Sequence, residues 1–202
     1  MQEWRDAVWE AVPADAEPER FAARLAFLRE HVAPGDRVLD LGCGDGHFAA
    51  GLLGLAGTVI AADVSSVALE RAARRAAQAE TLLLRDGEPL PLGDDAVDVV
   101  WAGETLEHAA DVTGLLAQAR RVLRPGGTLV ATTPNLARLR VASEALAGRP
   151  LEDRLDPRAD HLRFFTARTL RAVLLGAGFT AVDVTAVDGP PLLRRSLRAV
   201  AR

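Results

Sequence analysis

The chain has 202 residues, 49% of them apolar, and a formal net charge of −4; that is enough for one substantial core and runs against the basic balance of a nucleic-acid-binding domain. No stretch approaches the roughly 20 apolar residues of a membrane span, and the start Met1-Gln2-Glu3-Trp4-Arg5-Asp6 lacks the basic-then-apolar order of a signal peptide, so a soluble, cytoplasmic protein is expected. A single cysteine excludes an internal disulfide or multi-thiolate metal site, and with arginine the only basic residue counted and no tyrosine, side-chain bases near neutral pH reduce to histidine, carboxylates and Cys43.

Between Glu19 and His31, Phe21, Leu25, Phe27, Leu28 and Val32 recur near helical spacing, and Pro34-Gly35 stops the pattern before the first strand. Trp4 and Trp9 upstream have two readings, a lid over a substrate pocket or packing of the N-terminal segment onto a sheet. The run Val38-Leu39-Asp40-Leu41-Gly42-Cys43-Gly44-Asp45-Gly46-His47-Phe48 describes a buried strand ending in a turn where a ligand approaches the backbone, since glycine tolerates both the dihedrals and the contact. A helix after it presents free N–H groups. The dinucleotide fingerprint needs glycine where His47 stands, so a nicotinamide cofactor is disfavoured.

Further along, Thr58–Ala62 reads as a strand, Val67–Ala79 as a helix, Thr81–Leu84 and Val97–Trp101 as strands, and Leu115–Leu123 as a helix halted by Arg124-Pro125-Gly126-Gly127 before the strand Thr128–Thr133. Arg138 to Arg163 is expected to form a helix followed by a loop. A helix Thr166–Leu175, with Thr166 a candidate cap, leads through Gly176-Ala177-Gly178 to a strand Phe179–Val187 and a final segment Ser196–Ala201. Alternating strands and helices imply a parallel sheet covered on both faces. One domain over residues 1–202 is expected, with 1–33 an N-terminal helical segment and 136–165 a substrate-facing insertion.

The glycine turn, with Asp63 closing the second strand, Asp86 after the third, the Arg121–Gly127 run and the Gly176–Phe179 turn, resembles the class I S-adenosylmethionine-dependent methyltransferases in order and spacing. The resemblance covers the chain from about Leu28 onward. It implies a Rossmann-like seven-stranded sheet with the last strand antiparallel, and S-adenosylmethionine held by Asp40, Gly42, Cys43, Gly44, Gly46, Asp63, Val64, Asp86, Gly87, Gly103 and Glu104. Asp63 would take the ribose hydroxyls, Asp86 the adenine amino group, and Val64 the adenine face. Asp98, inside its strand, is read as a backbone partner instead.

Gly103-Glu104-Thr105-Leu106-Glu107-His108 stands where base N-methyltransferases carry an Asp/Asn-Pro-Pro-aromatic motif, which disfavours base methylation, and Cys43 is in the wrong place for cytosine C5 chemistry. Two functional roles compete for this segment together with Asp160-His161, beside a purely structural one in which Glu107 and His108 only hold the loop over the cofactor. In one, His108 or His161 takes a proton from an acceptor hydroxyl; in the other, Glu104, Glu107, His108 and His161 hold a divalent ion. The set resembles that of RNA 3′-terminal ribose 2′-O-methyltransferases, and its first segment also resembles ubiquinone-biosynthesis O-methyltransferases. The favoured reading is metal-free O-methylation of a small-molecule hydroxyl, with nucleic acid disfavoured as acceptor. A metal-dependent RNA methyltransferase and a catalytically silent binding protein are the alternatives. Phe164 and Phe165 are candidates for stacking on an acceptor ring or for a split between core and surface; Trp101 is expected in the core.

Overall fold

A computed structural model describes residues 2–14, 16–148 and 160–202. Seven strands form one sheet: β1 (Arg37–Leu41), β2 (Thr58–Asp63), β3 (Glu80–Leu83), β4 (Val97–Gly103), β5 (Leu123–Pro134), β6 (Val182–Val187) and β7 (Ser196–Ala201). Their order is β3-β2-β1-β4-β5-β7-β6. β1 to β5 pair in parallel, and β7 runs antiparallel to both β5 and β6. The expected seven-stranded sheet with an antiparallel last strand is present.

The central strands are nearly continuous apolar runs because both faces are buried. Side chains alternate between two cores: Leu39, Leu41, Val100 and Ala102 pack with Leu116 and Ala119 of α5 (Val112–Val122) and Leu170 and Leu174 of α7 (Ala167–Gly176). Val38, Val99 and Trp101 pack instead with α2 (Phe21–Arg29), α3 (His47–Leu52) and α4 (Ser66–Arg75). Trp101 is fully buried there, as expected.

Element ends differ from expectation where capping decides them. Ser65 accepts the Ala68 N–H and starts α4 ahead of Val67, and the chain leaves the helix at Ala76. Asp111 accepts the Gly114 N–H and starts α5 three residues early. β6 begins at Val182, not Phe179, because the Phe179 N–H bonds back to Leu174 at the end of α7 while its ring enters the core. α1 (Gln2–Ala11) is a separate helix that the periodicity does not single out, and α6 (Arg138–Leu146) is the helix expected after β5. Residues 149–159 of the expected insertion lie outside the described residues. No helix among those described is long and apolar enough to cross a membrane.

Asp98 anchors the amino-terminal edge of the sheet, its carboxylate accepting from the Arg37 N–H (2.7 Å) and from Arg124. That is a backbone-partner role, remote from the carboxyl ends where the β2-β1-β4 order reverses chain direction and where such sheets bind ligands.

Candidate active site

At that switch point a cavity of about 790 Å³ opens between the loops after β1, β2, β3 and β4, within the roughly 300–1,000 Å³ of small-ligand sites. Of the residues expected at the cofactor, Gly42, Asp63, Val64, Asp86, Gly87 and Glu104 line it, as does His108. Asp40, Cys43, Gly44, Gly46 and Gly103 do not form its wall; neither do Glu107 and His161.

The reason lies in how the glycine turn is packed. Gly42, Gly44 and Gly46 have φ of +77°, +54° and +84°, and a Cβ on any of them would collide with protein. At Gly42 it would meet the Thr105 side chain at 2.7 Å, at Gly44 the Trp9 indole at 2.6 Å, and at Gly46 the Ala72 backbone of α4 at 2.8 Å. Thr105 is tied in turn to the end of β1 through its hydroxyl, which donates to the Leu41 carbonyl at 2.8 Å. Gly103 is likewise a packing glycine, since a Cβ there would enter the Trp101 ring. Asp45 fastens the turn to α4, receiving Arg75 at 2.9 Å and pairing with His47 at 2.7 Å.

Asp63 uses both carboxylate oxygens on backbone, accepting the Gly44 N–H at 3.0 Å and the Ser65 N–H at 2.9 Å. Burial pushes its pKa up, and those N–H groups and Arg5 oppose the rise. Asp40 is pushed up to about 7, by burial first and the Asp63 charge second, and its Oδ2 is buried with no hydrogen-bond partner. Burial among these acids also raises the Cys43 thiol well above its ordinary value, so it stays protonated. Among the described residues the one deeply set cation is Arg24 of α2, which the sequence reading does not single out. Its Nε donates to Thr132 Oγ1 (3.2 Å), its guanidinium lies 4.8 Å from the Phe48 ring centre, and it stands 3.9 Å from Glu104.

The turn after β4 carries a short 3₁₀ helix, Leu106–His108. His108 Nδ1 lies 2.9 Å from the Asp160 carbonyl oxygen; a carbonyl only accepts, so Nδ1 carries the proton and Nε2 keeps a lone pair. Burial lowers the His108 pKa, keeping the ring neutral at pH 7. The His161 ring packs edge-on against it at 4.8 Å. Glu107 is buried beneath, its Oε2 accepting from Thr133 (2.9 Å) and its Oε1 without a partner; burial and the neighbouring Glu104 push its pKa up to about 8. Glu107, His108 and His161 each offer a ligand atom within 4.8 Å of the others. Glu104, the fourth member of the expected ligand set, is outside that group and faces Arg24. Phe165 is buried and Phe164 is partly exposed, so the pair splits between core and surface.

The residues present fit S-adenosylmethionine: Asp63 and Asp86, both lining the cavity, are acceptors suited to the hydroxyl and amino donors of a nucleoside.

Comparisons with known proteins agree. A family model described as a methyltransferase domain matches residues 39–131. The ubiquinone biosynthesis O-methyltransferase of Mesorhizobium japonicum is 29% identical over 194 residues, covering 87% of this chain and 78% of that protein. Its Brucella anthropi namesake is 30% identical over 187 residues, covering 84% and 75%. Among solved structures, the Haemonchus contortus phosphoethanolamine N-methyltransferase 2 in complex with S-adenosyl-L-methionine superposes with a TM-score of 0.66 at 20% identity, over 85% of this chain and 40% of that one. The chain therefore belongs to the class I S-adenosylmethionine-dependent methyltransferases.

Proposed function

We propose that this methyltransferase alkylates a hydroxyl of a small-molecule acceptor, with His108 as the general base. The observation that carries the reading is the His108 ring itself: it lines the cavity, is held neutral by burial, and is fixed by Asp160 in the tautomer with Nε2 free. The names of the two O-methyltransferase relatives support an oxygen acceptor.

Bound S-adenosylmethionine supplies an electrophilic methyl group on a positively charged sulfur. Asp63 would hold the ribose, Asp86 the adenine and Val64 the adenine face, while the cavity walls exclude water. His108 Nε2 would take the hydroxyl proton, and the Asp160 carbonyl would stabilise the imidazolium formed. Because the His108 pKa lies below its ordinary 6.5, activity should be flat near pH 7 and fall as pH drops through that lowered value. His108→Ala should reduce kcat by about 10²–10⁴-fold with little change in affinity for S-adenosylhomocysteine. Labelled-methyl transfer to a panel of hydroxylated small molecules reads both; unchanged turnover would remove His108 from the mechanism.

A second reading is favoured by the Glu107, His108 and His161 cluster and the unpartnered Glu107 Oε1, which would suit a divalent ion that lowers the acceptor's pKa. Treatment with chelator separates the two. The metal-free reading expects full activity, whereas loss restored by added divalent metal would establish the second.

A further inference from the structure

Part of the cavity wall comes from outside the segment that matches the methyltransferase-domain model. Arg5, Val8, Trp9 and Val12, at helical i, i+3, i+4 and i+7 spacing on α1 and just past its end, line the cavity. Trp9 seats its indole on Gly44. Three contacts hold α1 there. Asp6 Oδ1 accepts from the Ser65 hydroxyl (2.6 Å) and the Val67 N–H (3.3 Å), and its Oδ2 from the Ser66 hydroxyl (3.2 Å). Arg5 Nη2 donates to the His108 carbonyl at 2.9 Å. Arg71 donates to the Val12 carbonyl at 2.8 Å. The first contact lies two residues beyond Asp63, and the second is on His108 itself. α1 therefore joins the ribose-side loop to the loop of the proposed base.

We propose that α1 is a closing wall of the cofactor site and that Asp6 is the positioning residue that latches it to the start of α4, with Arg5 holding the other loop. The proposal rests on the assignment of the cavity to S-adenosylmethionine. A wall and a plug make opposite demands on the latch. With α1 in place a cavity of about 790 Å³ remains, room for a ligand of this class, so α1 adds contacts without taking the site. Releasing the latch then lowers the fraction of molecules competent to bind and raises the apparent Kd in proportion. Were Trp9 a plug, releasing it would tighten binding.

The test uses S-adenosylhomocysteine as the probe. A Trp4→Phe background leaves Trp9 as the accessible indole, since Trp101 is buried. Calorimetry gives Kd and acrylamide quenching gives Trp9 exposure. The expected result is that ligand shields Trp9 in the parent, and that Asp6→Ala weakens binding about tenfold, speeds ligand release and leaves Trp9 open to quencher, with an unchanged circular dichroism spectrum. Ser66→Ala removes one donor while keeping Asp6 and the Ser65 cap; it should shift affinity the same way by about two- to fivefold, and it carries the test if Asp6→Ala does not fold. Tighter binding in either variant, or affinity and quenching equal to the parent in both, overturns the proposal. A parent that binds no S-adenosylhomocysteine overturns the cofactor assignment along with it, so the two failures are distinguishable.

Discussion

Replacing Asp63 with alanine separates what this carboxylate does for the protein from what it does for the ligand. In the folded chain it accepts the Gly44 and Ser65 N–H groups, and both donors would be stranded in a buried site. Each stranded donor costs about 1–3 kcal/mol, or roughly 2–6 kcal/mol for the pair. Removing an acid whose burial disfavours its charged form returns part of that, which places the expected loss at about 2–4 kcal/mol. At about 2–4 °C per kcal/mol for a chain of this size, melting should fall by roughly 4–16 °C. Asp63→Asn keeps one acceptor but turns an N–H donor toward the other backbone N–H, so its melting temperature should fall between those of the alanine variant and the parent. Thermal melts followed by circular dichroism measure this, and calorimetry with S-adenosylhomocysteine well below the variant's transition measures the ligand term, expected at about ten- to a hundredfold. A melt that matches the parent would refute the account of the turn, and unchanged affinity would refute the ribose role.

Asp86 offers the complementary case. It is exposed at the cavity and makes no hydrogen bond or ion pair among the described residues, so Asp86→Ala should leave stability within about 0.5 kcal/mol while weakening S-adenosylhomocysteine about ten- to a hundredfold; equal affinity would remove it from the adenine contact. Glu107 gives a pH signature. Its folded pKa is raised to about 8, so between about 4.5 and 8 the unfolded chain loses this proton and the folded chain keeps it, and stability falls as pH rises, by up to about 1.4 kcal/mol per unit. Glu107→Gln, which cannot ionise, should make the fall between pH 5 and 8 shallower, with Asp40 still contributing below about pH 7, and a profile as steep as the parent's would show that Glu107 does not carry the effect.

The sheet was legible because buried parallel strands write themselves as apolar runs: Val38-Leu39 and Val97–Trp101 could face two cores only inside an α/β sandwich. Asp63 and Asp86 were legible as cavity-lining acids because one ends β2 and the other follows β3 at the carboxyl edge of the sheet. Arg24 was not. It reads as one more arginine on a helix, and only the fold shows it turned inward onto Phe48 and Thr132 amid the acids. Asp160 was similarly hidden, since its contribution to His108 is a main-chain carbonyl that no side-chain pattern encodes.

The glycine turn shows how a correct motif can carry a second meaning. Glycine at alternate positions signals close approach, and in this chain the approaching groups include Thr105, Trp9 and Ala72. The pattern therefore specifies the protein's own packing as well as a path for ligand, and the two requirements coincide at Gly42, which touches both Thr105 and the cavity. At Gly44 they diverge. A valine there would first drive Trp9 off the turn, moving α1, the Arg5 contact to His108 and the cavity wall together. Lost binding in such a variant would report on the latch as much as on the cofactor. The carboxylates distinguish the two causes: among the described residues Asp86 makes no hydrogen bond or ion pair with α1, whereas Asp6 makes its contacts with the start of α4, so ligand recognition and closure can be perturbed one at a time.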